Sequence, residues 1–265
     1  MSRKVSNSIL LDVAIEAALA ASNSIMDSNK PKKNIFYKGP ANLVTEVDIK
    51  SERIIKSIIQ SNFKDHSIIS EESDIIERES NYKWIIDPLD GTTNFVHGYP
   101  SYSVSIAIYN DDEPIIGVVL EMPNLKMYTA VIGKGAYCEG EKIKPSSVSD
   151  IGKSLFITGF GYNHDQNWEN SMKLFRYFTD ISHGVRRLGA ASIDICHVAS
   201  GKADGFWEFD LKPWDTAAGS IIAKEAGCLI SDIPGNDHTI FSNSILIANK
   251  YIYEDLFYRI NNYLN

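Results

Sequence analysis

The chain has 265 residues, 44% of them hydrophobic and 23% charged, the make-up of a folded globular protein and not of a disordered one. Its 34 acidic and 26 basic residues give a formal net charge of −8, which argues against a dedicated nucleic-acid binder with a basic face. Cys138, Cys196 and Cys228 form no CxxC pair and no even disulfide framework; they read as buried small hydrophobes in a reducing, cytoplasmic compartment.

The N-terminus opens with two basic residues, as a signal peptide does, but Asp12 and Glu16 interrupt its apolar run. Leu10, Val13, Ala17, Leu19 and Ala20 instead space an amphipathic helix over 9 to about 26. No apolar run approaches the ~18 residues that cross a bilayer, so no membrane partner is expected. A loop over 29–42 follows, locally basic at Lys30, Lys32, Lys33 and Lys38, and Ile54, Ile55, Ile58 and Ile59 predict a second helix over 47–60. "HSIISEES" and "KWIIDPLD" each read as a strand ending in two acids, and Pro88 forces the second to turn.

From 102 to about 144, β-prone runs alternate with the turn clusters "NDDEP", "MPNL" and "GKG", which predicts an antiparallel meander. Strands at "SLFITGF", "HGVRRLG" and "ADGFWEF" then alternate with helices near 166–179, over 190–200, and from 213 or 214 to 226. The pattern is that of an α/β or α+β layered sandwich, one domain over 1–265 with a seam near 145–150.

Several familiar motifs fail. "SSVSDIGKS" has Ser147 where a P-loop needs its first glycine, and "GKGAYCEG" has Cys138 at the third glycine of a dinucleotide fingerprint. No G-x-S-x-G elbow and no zinc spacing of Cys and His is present. What survives is a set of acids at strand ends and helix starts: Glu71 and Glu72, Asp87 and Asp90, Glu208, and Asp215 in "PWDTAAG". Any one of them suits a turn or a helix N-cap. Together they suit hard divalent cations, which take carboxylate oxygens. The Gly91, Thr92 and Thr93 amides after Asp90 would form an anion site at a helix start. Carboxylates beside an anion site imply cations between them. His97 reads as a structural turn residue and His197 as packing, while Arg186 and Arg187 suit either a phosphate or partner subunit or a solvated ion pair.

"WIIDPLDGTTNFVHGYP" and "PWDTAAGSIIAKEAG" resemble the paired signatures of the inositol monophosphatase family. "NLVTEVD", "SEES", "GKGAYCEGEKI" and "RRLGAASIDICHVASGKADGFWE" fall in that family's order, the last looking like bacterial members. The resemblance implies an αβαβα five-layer sandwich, a homodimer, and Mg²⁺-dependent, lithium-sensitive hydrolysis of a phosphate monoester. The implied substrate is a small phosphorylated polyol, foremost myo-inositol monophosphate, attacked directly by water. Broader sugar phosphatase activity on fructose 1,6-bisphosphate is the alternative, as is a regulatory macromolecule-binding protein on the same fold.

By position, the resemblance assigns Glu71, Asp87 and the Leu89 carbonyl to a first metal and Asp87, Asp90 and Asp215 to a second. A weaker third lies near Glu71, giving two or three Mg²⁺ per subunit. Asp48 and Thr92 match the pair that, with Glu71, orients the water, and Gly91 and Thr92 match the phosphate cradle. Asp90, Gly189, Ala190, Ala191, Glu208 and Asp215 match the substrate wall, with Ala190 where several relatives carry a hydroxyl. The segment 29–40 matches a mobile loop.

Overall fold

A computed structural model describes residues 5–28, 35–37 and 43–264. Most of the basic loop, with Lys30, Lys32, Lys33 and Lys38, lies outside the described residues. Helix α1 (Asn7–Asp27) buries Leu10, Val13, Ala14, Ala17, Ala18, Ala21 and Ile25 along one stripe. It is long and apolar enough by composition to cross a membrane, contrary to the expectation from run length. That face is spent on the core, where small alanines let it pack against the next helix.

Strands β1 (Ile35–Tyr37) and β2 (Leu43–Thr45) pair as an antiparallel hairpin. Helix α2 (Glu46–Asn62) begins at a capping box. The Thr45 hydroxyl accepts from Val47 N at 3.1 Å, and Asp48 Oδ2 accepts from Thr45 N at 2.8 Å. Val47, Ile55 and Ile59 bury its apolar face, and Asp48, Ser51 and Glu52 are buried with them.

A seven-stranded sheet follows in sequential order. It comprises β3 (Ser67–Ser70), β4 (Tyr82–Asp90), β5 (Tyr102–Asn110), β6 (Glu113–Met122), β7 (Lys126–Val131), β8 (Gly135–Cys138) and β9 (Glu141–Lys142). Only β3 and β4 are parallel; the rest is the expected meander. Helix α3 (Thr92–His97) leaves the end of β4. Residues 143–150 carry the chain to a five-stranded mixed sheet. Its strands run in the order β11 (Gly184–Arg186), β10 (Leu155–Thr158), β12 (Gly205–Phe209), β14 (Ser244–Ala248) and β13 (Leu229–Ser231). The remaining helices are α4 (Gln166–Ile181), α5 (Ala191–Ala199), α6 (Pro213–Ala226) and α7 (Tyr253–Leu264).

Strand periodicity sorts the side chains into layers. Trp84, Ile86, Val104, Ile106, Val118 and Leu120 face α1 and α2, whereas Ile85, Ala107 and Val119 face α5 and α6. In the second sheet Phe206, Ile245 and Ile247 face α5 and α6, whereas Trp207 and Leu246 face α4 and α7. The result is the αβαβα five-layer sandwich. Two expectations need correction. Pro88 does not end β4; the strand continues to Asp90 through a bulge between Asp87 and Asp90. Elements β1, β2, β13, β14 and α7 were not anticipated, although Leu256 and Ile260, buried four apart, mark α7.

A polar cluster lies between β6, β7 and α5. The Tyr128 hydroxyl donates to Glu121 Oε2 at 3.1 Å, and Lys202 Nζ donates to that hydroxyl at 2.6 Å. Lys202 Nζ and His197 Nε2 each stand 3.6 Å from Glu121, longer than an ordinary hydrogen bond. Burial alone would raise the Glu121 carboxyl, but His197, Lys202 and Tyr128 outweigh it and hold the group at about 2. A depressed acid stabilises the fold above its unfolded value, and the benefit fades as pH falls from 4.5 towards about 2. E121Q is expected to lose about 1–2 kcal/mol at neutral pH after solvent screening. In a thermal melt series, the gap between wild type and E121Q should narrow across that acid window; a gap independent of pH would contradict the account.

Candidate active site

The bulge in β4 is where the sheet stops being regular and starts presenting side chains. Strand β3 pairs with β4 only as far as Ser70 opposite Ile86, so Pro88 removes no bond from that ladder. Asp87 stands opposite Ser105 and Asp90 opposite Ser103, so Pro88 and Leu89 together face Val104 and the bulge adds one residue. Asp87 Oδ1 accepts from Leu89 N at 3.0 Å, closing the turn on itself. Gly91 then adopts φ +85°, and a Cβ there would stand 2.9 Å from the Ser101 carbonyl and 3.1 Å from Ala190 Cβ. Only glycine fits both the dihedral and the space.

Helix α2 braces this turn. Ser51 Oγ donates to the Pro88 carbonyl at 2.7 Å. Asp48 Oδ1 accepts from Thr92 Oγ1 at 2.7 Å, and Thr92 Oγ1 also lies 3.0 Å from the Leu89 carbonyl. Asp48 Oδ2 is taken by Thr45, so the capping box that starts α2 also orients Thr92.

The other acids reach the cleft from separate elements. Glu71 follows β3, and Glu208 is buried on β12. Asp215 sits in the first turn of α6, accepting from Lys212 N at 2.6 Å, so it is a helix cap as well as a cleft acid. Asp90 is held at the start of α5. Its Oδ2 accepts from Ser192 N at 2.8 Å and Ser192 Oγ at 2.6 Å, and Ser192 is bonded to Ser103 at 2.7 Å. The expected wall residues Gly189, Ala190 and Ala191 form that same helix start, and Ala190 is buried against Gly91.

These carboxylates repel one another. Burial and then the charges of Glu71, Asp90 and Asp215 raise Asp87 well above the usual carboxylate range. Burial and Asp90 push Asp215 up to about 7. Burial and Asp215 raise Glu208, which Arg187 partly offsets. Asp90 and Asp48 are also raised by burial, less far because hydroxyls and amides donate to them. Among the described residues, no three His, Cys, Asp or Glu side chains converge closely enough to hold a metal ion unaided. The donor set nevertheless fits a hard cation: it is all oxygen, excess in negative charge, and includes the Leu89 carbonyl in the same turn.

Sequence reasoning missed several residues here. Ser51 follows Asp48 at helical spacing on α2, a signal the sequence carries. Ser103 and Ser192 carry none, since they meet Asp90 only through tertiary packing. Asp194, 1% exposed with Oδ1 unpartnered among the described residues, adds another buried carboxyl beside Glu208, raised well above its ordinary value by burial and then by the charge of Glu208. Gly159 lies so close to Glu208 that a Cβ would fall 2.1 Å from its Oε1. Of the other candidates, His97 is exposed at the end of α3, and His197 packs beside Glu121. Arg187 is exposed over the Phe160 ring at 6.0 Å and turns its charge towards Glu208.

The model of the "Inositol monophosphatase family" matches residues 6–264. The chain is 44% identical to "Phosphatase IMPL1, chloroplastic" of Arabidopsis thaliana, covering 97% of this chain and 71% of that protein. It is 37% identical to the "Nus factor SuhB" of Vibrio cholerae, covering 90% and 91% of the two. The solved inositol monophosphatase of Anabaena superposes with a TM-score of 0.85 at 34% identity, covering 96% of each chain. Matched along nearly its whole length in sequence and fold, the chain is an enzyme and belongs to the inositol monophosphatase family.

Proposed function

We propose that the protein hydrolyses a phosphate monoester of a small polyol, with myo-inositol monophosphate as the foremost substrate. The observation that carries this reading is the ring of mutually repelling carboxylates beside the Gly91–Thr92 turn. Glu71, Asp87, Asp90, Asp215 and the Leu89 carbonyl would hold Mg²⁺, two or three per subunit. When bound, the ions would supply positive charge to phosphoryl oxygens and acidify a water.

The chain's own groups then have defined tasks. Thr92 donates its proton to Asp48, which leaves the threonine lone pairs to accept from the attacking water. Glu71 takes the proton that water releases as its oxygen bonds to phosphorus. The ester P–O bond breaks with its electron pair going to the alkoxide, which leaves as the alcohol after taking a proton from solvent. The Gly91 and Thr92 amides face the phosphoryl oxygens, where donors stabilise developing charge. Glu208, Asp90 and the Gly189–Ala191 segment read the hydroxyls of the polyol. A homodimer in the cytoplasm fits this reading, supported by family membership and three free cysteines. The identity to a protein named a Nus factor favours a second, macromolecule-binding role, for which the exposed Arg186 and Arg187 are the candidate surface.

A phosphate-release panel tests the reading: inositol monophosphates, fructose 1,6-bisphosphate, nucleotide phosphates and histidinol phosphate, each with Mg²⁺ and with added Li⁺. Inositol monophosphate should be turned over fastest, and only with Mg²⁺; release from none of them would overturn the reading. D90N should lose at least about 10²-fold in turnover. Its melting temperature should hold, because both Ser192 bonds fall on one oxygen that asparagine keeps. G159A must displace the Glu208 carboxylate. Its KM should rise about tenfold with kcat less affected; an unchanged KM would remove Glu208 from the substrate wall.

A further inference from the structure

Helix α2 carries a second buried carboxylate to which the reaction gives no task. Glu52 lies one turn beyond Asp48, is 5% exposed, and accepts from four donors. Its Oε2 takes the Ser70 hydroxyl, and the Glu72 amide at 2.9 Å. Its Oε1 takes the Ser73 hydroxyl at 2.5 Å and the Lys56 ammonium at 2.9 Å. Lys56 also donates to the Ser73 hydroxyl, so the cation closes the cluster. Burial opposes the Glu52 charge, but Ser70, Ser73 and Lys56 outweigh it and keep the carboxyl below its ordinary value.

The donors are not scattered. Ser70, Glu72 and Ser73 flank Glu71 on both sides, and all three hang on one carboxylate of a helix whose preceding turn orients Thr92. We propose that Glu52 is a positioning residue that fixes the Glu71 carboxylate in the cleft by gripping the backbone around it. The functional part of this inference rests on the phosphatase reading of Glu71; the grip itself does not.

Donor counting shows why glutamate is needed. Serine hydroxyls can donate or accept, whereas the Glu72 amide and the Lys56 ammonium only donate. A glutamine at 52 has one oxygen, and either amide orientation sets its NH₂ against the Glu72 amide or against Lys56. Removing the Lys56 charge as well lets the glutamine oxygen take Ser70 and Glu72 while its NH₂ donates to Ser73. The double variant should therefore recover what the single one loses.

The test compares wild type, E52Q, K56M and E52Q/K56M. The measurements are kcat and KM on inositol 1-phosphate over a MgCl₂ series, the melting temperature, and hydrogen exchange at the Glu72 amide in metal-free protein. E52Q is expected to lower kcat and raise the half-saturating MgCl₂ concentration, each about tenfold, with faster Glu72 exchange. E52Q/K56M is expected to regain most of both. An E52Q variant with wild-type MgCl₂ requirement and wild-type Glu72 exchange would overturn the proposal, and so would a double variant as impaired as the single. A lower melting temperature with no change in those two readouts would make Glu52 an ordinary buried ion pair. Wild-type protein inactive on every phosphate ester would contradict the phosphatase reading, while the exchange measurement would still judge the grip.

Discussion

Repulsion among carboxylates is the constraint around which this structure is arranged. Beyond burial, the charges of Glu71, Asp90 and Asp215 raise Asp87, that of Asp90 raises Asp215, and those of Asp215 and Asp90 raise Glu208. Left to themselves such groups would swing apart into water. Here Asp87, Asp90 and Asp215 are tied by donors that cost the fold little, because they come from elements already needed for the core. Asp87 uses the Leu89 amide of its own turn, and Asp90 uses the first amides of α5. Asp215 uses the Lys212 amide at the start of α6. The carboxylates remain crowded together, and under the proposed function a divalent cation would offset their charge.

The five-layer sandwich explains how distant parts of the chain share one cleft. The two sheets bury opposite faces against the same pair of helices, α5 and α6, so the starts of those helices meet the ends of strands from both sheets. The bulge in β4 then turns two consecutive acids of one strand towards that meeting point. Helix α2 acts from the opposite layer. Asp48, Ser51 and Glu52 occupy its inward face among Val47, Ile55 and Ile59, so one helix buries apolar surface and braces the two acid-bearing turns. Stability and geometry come from the same element.

Much of this was legible in the sequence. The sequence pattern located α1, α2, the meander and helices α4, α5 and α6 to within a few residues, because each buries one regular face. The acids at strand ends were legible as a set, since no single one of them departs from ordinary turn or cap chemistry. Two kinds of feature were not. The continuation of β4 past Pro88 depends on where β3 stops, a property of the neighbouring strand. The bracing of Asp90 by Ser103 and Ser192, and the contact of Gly159 with Glu208, join residues far apart in the chain that have no shared period or motif. The membrane-like composition of α1 misleads in the other direction, because composition does not say which face is covered.

The carboxylate set is proposed above as a divalent-cation site that holds a phosphoryl group. Calorimetric titration of MgCl₂ into the metal-free protein, with and without inorganic phosphate, tests it most directly. Saturable Mg²⁺ binding to more than one site per chain is expected, tightened by phosphate because each ligand neutralises the other. Absence of saturable Mg²⁺ binding under both conditions would contradict it.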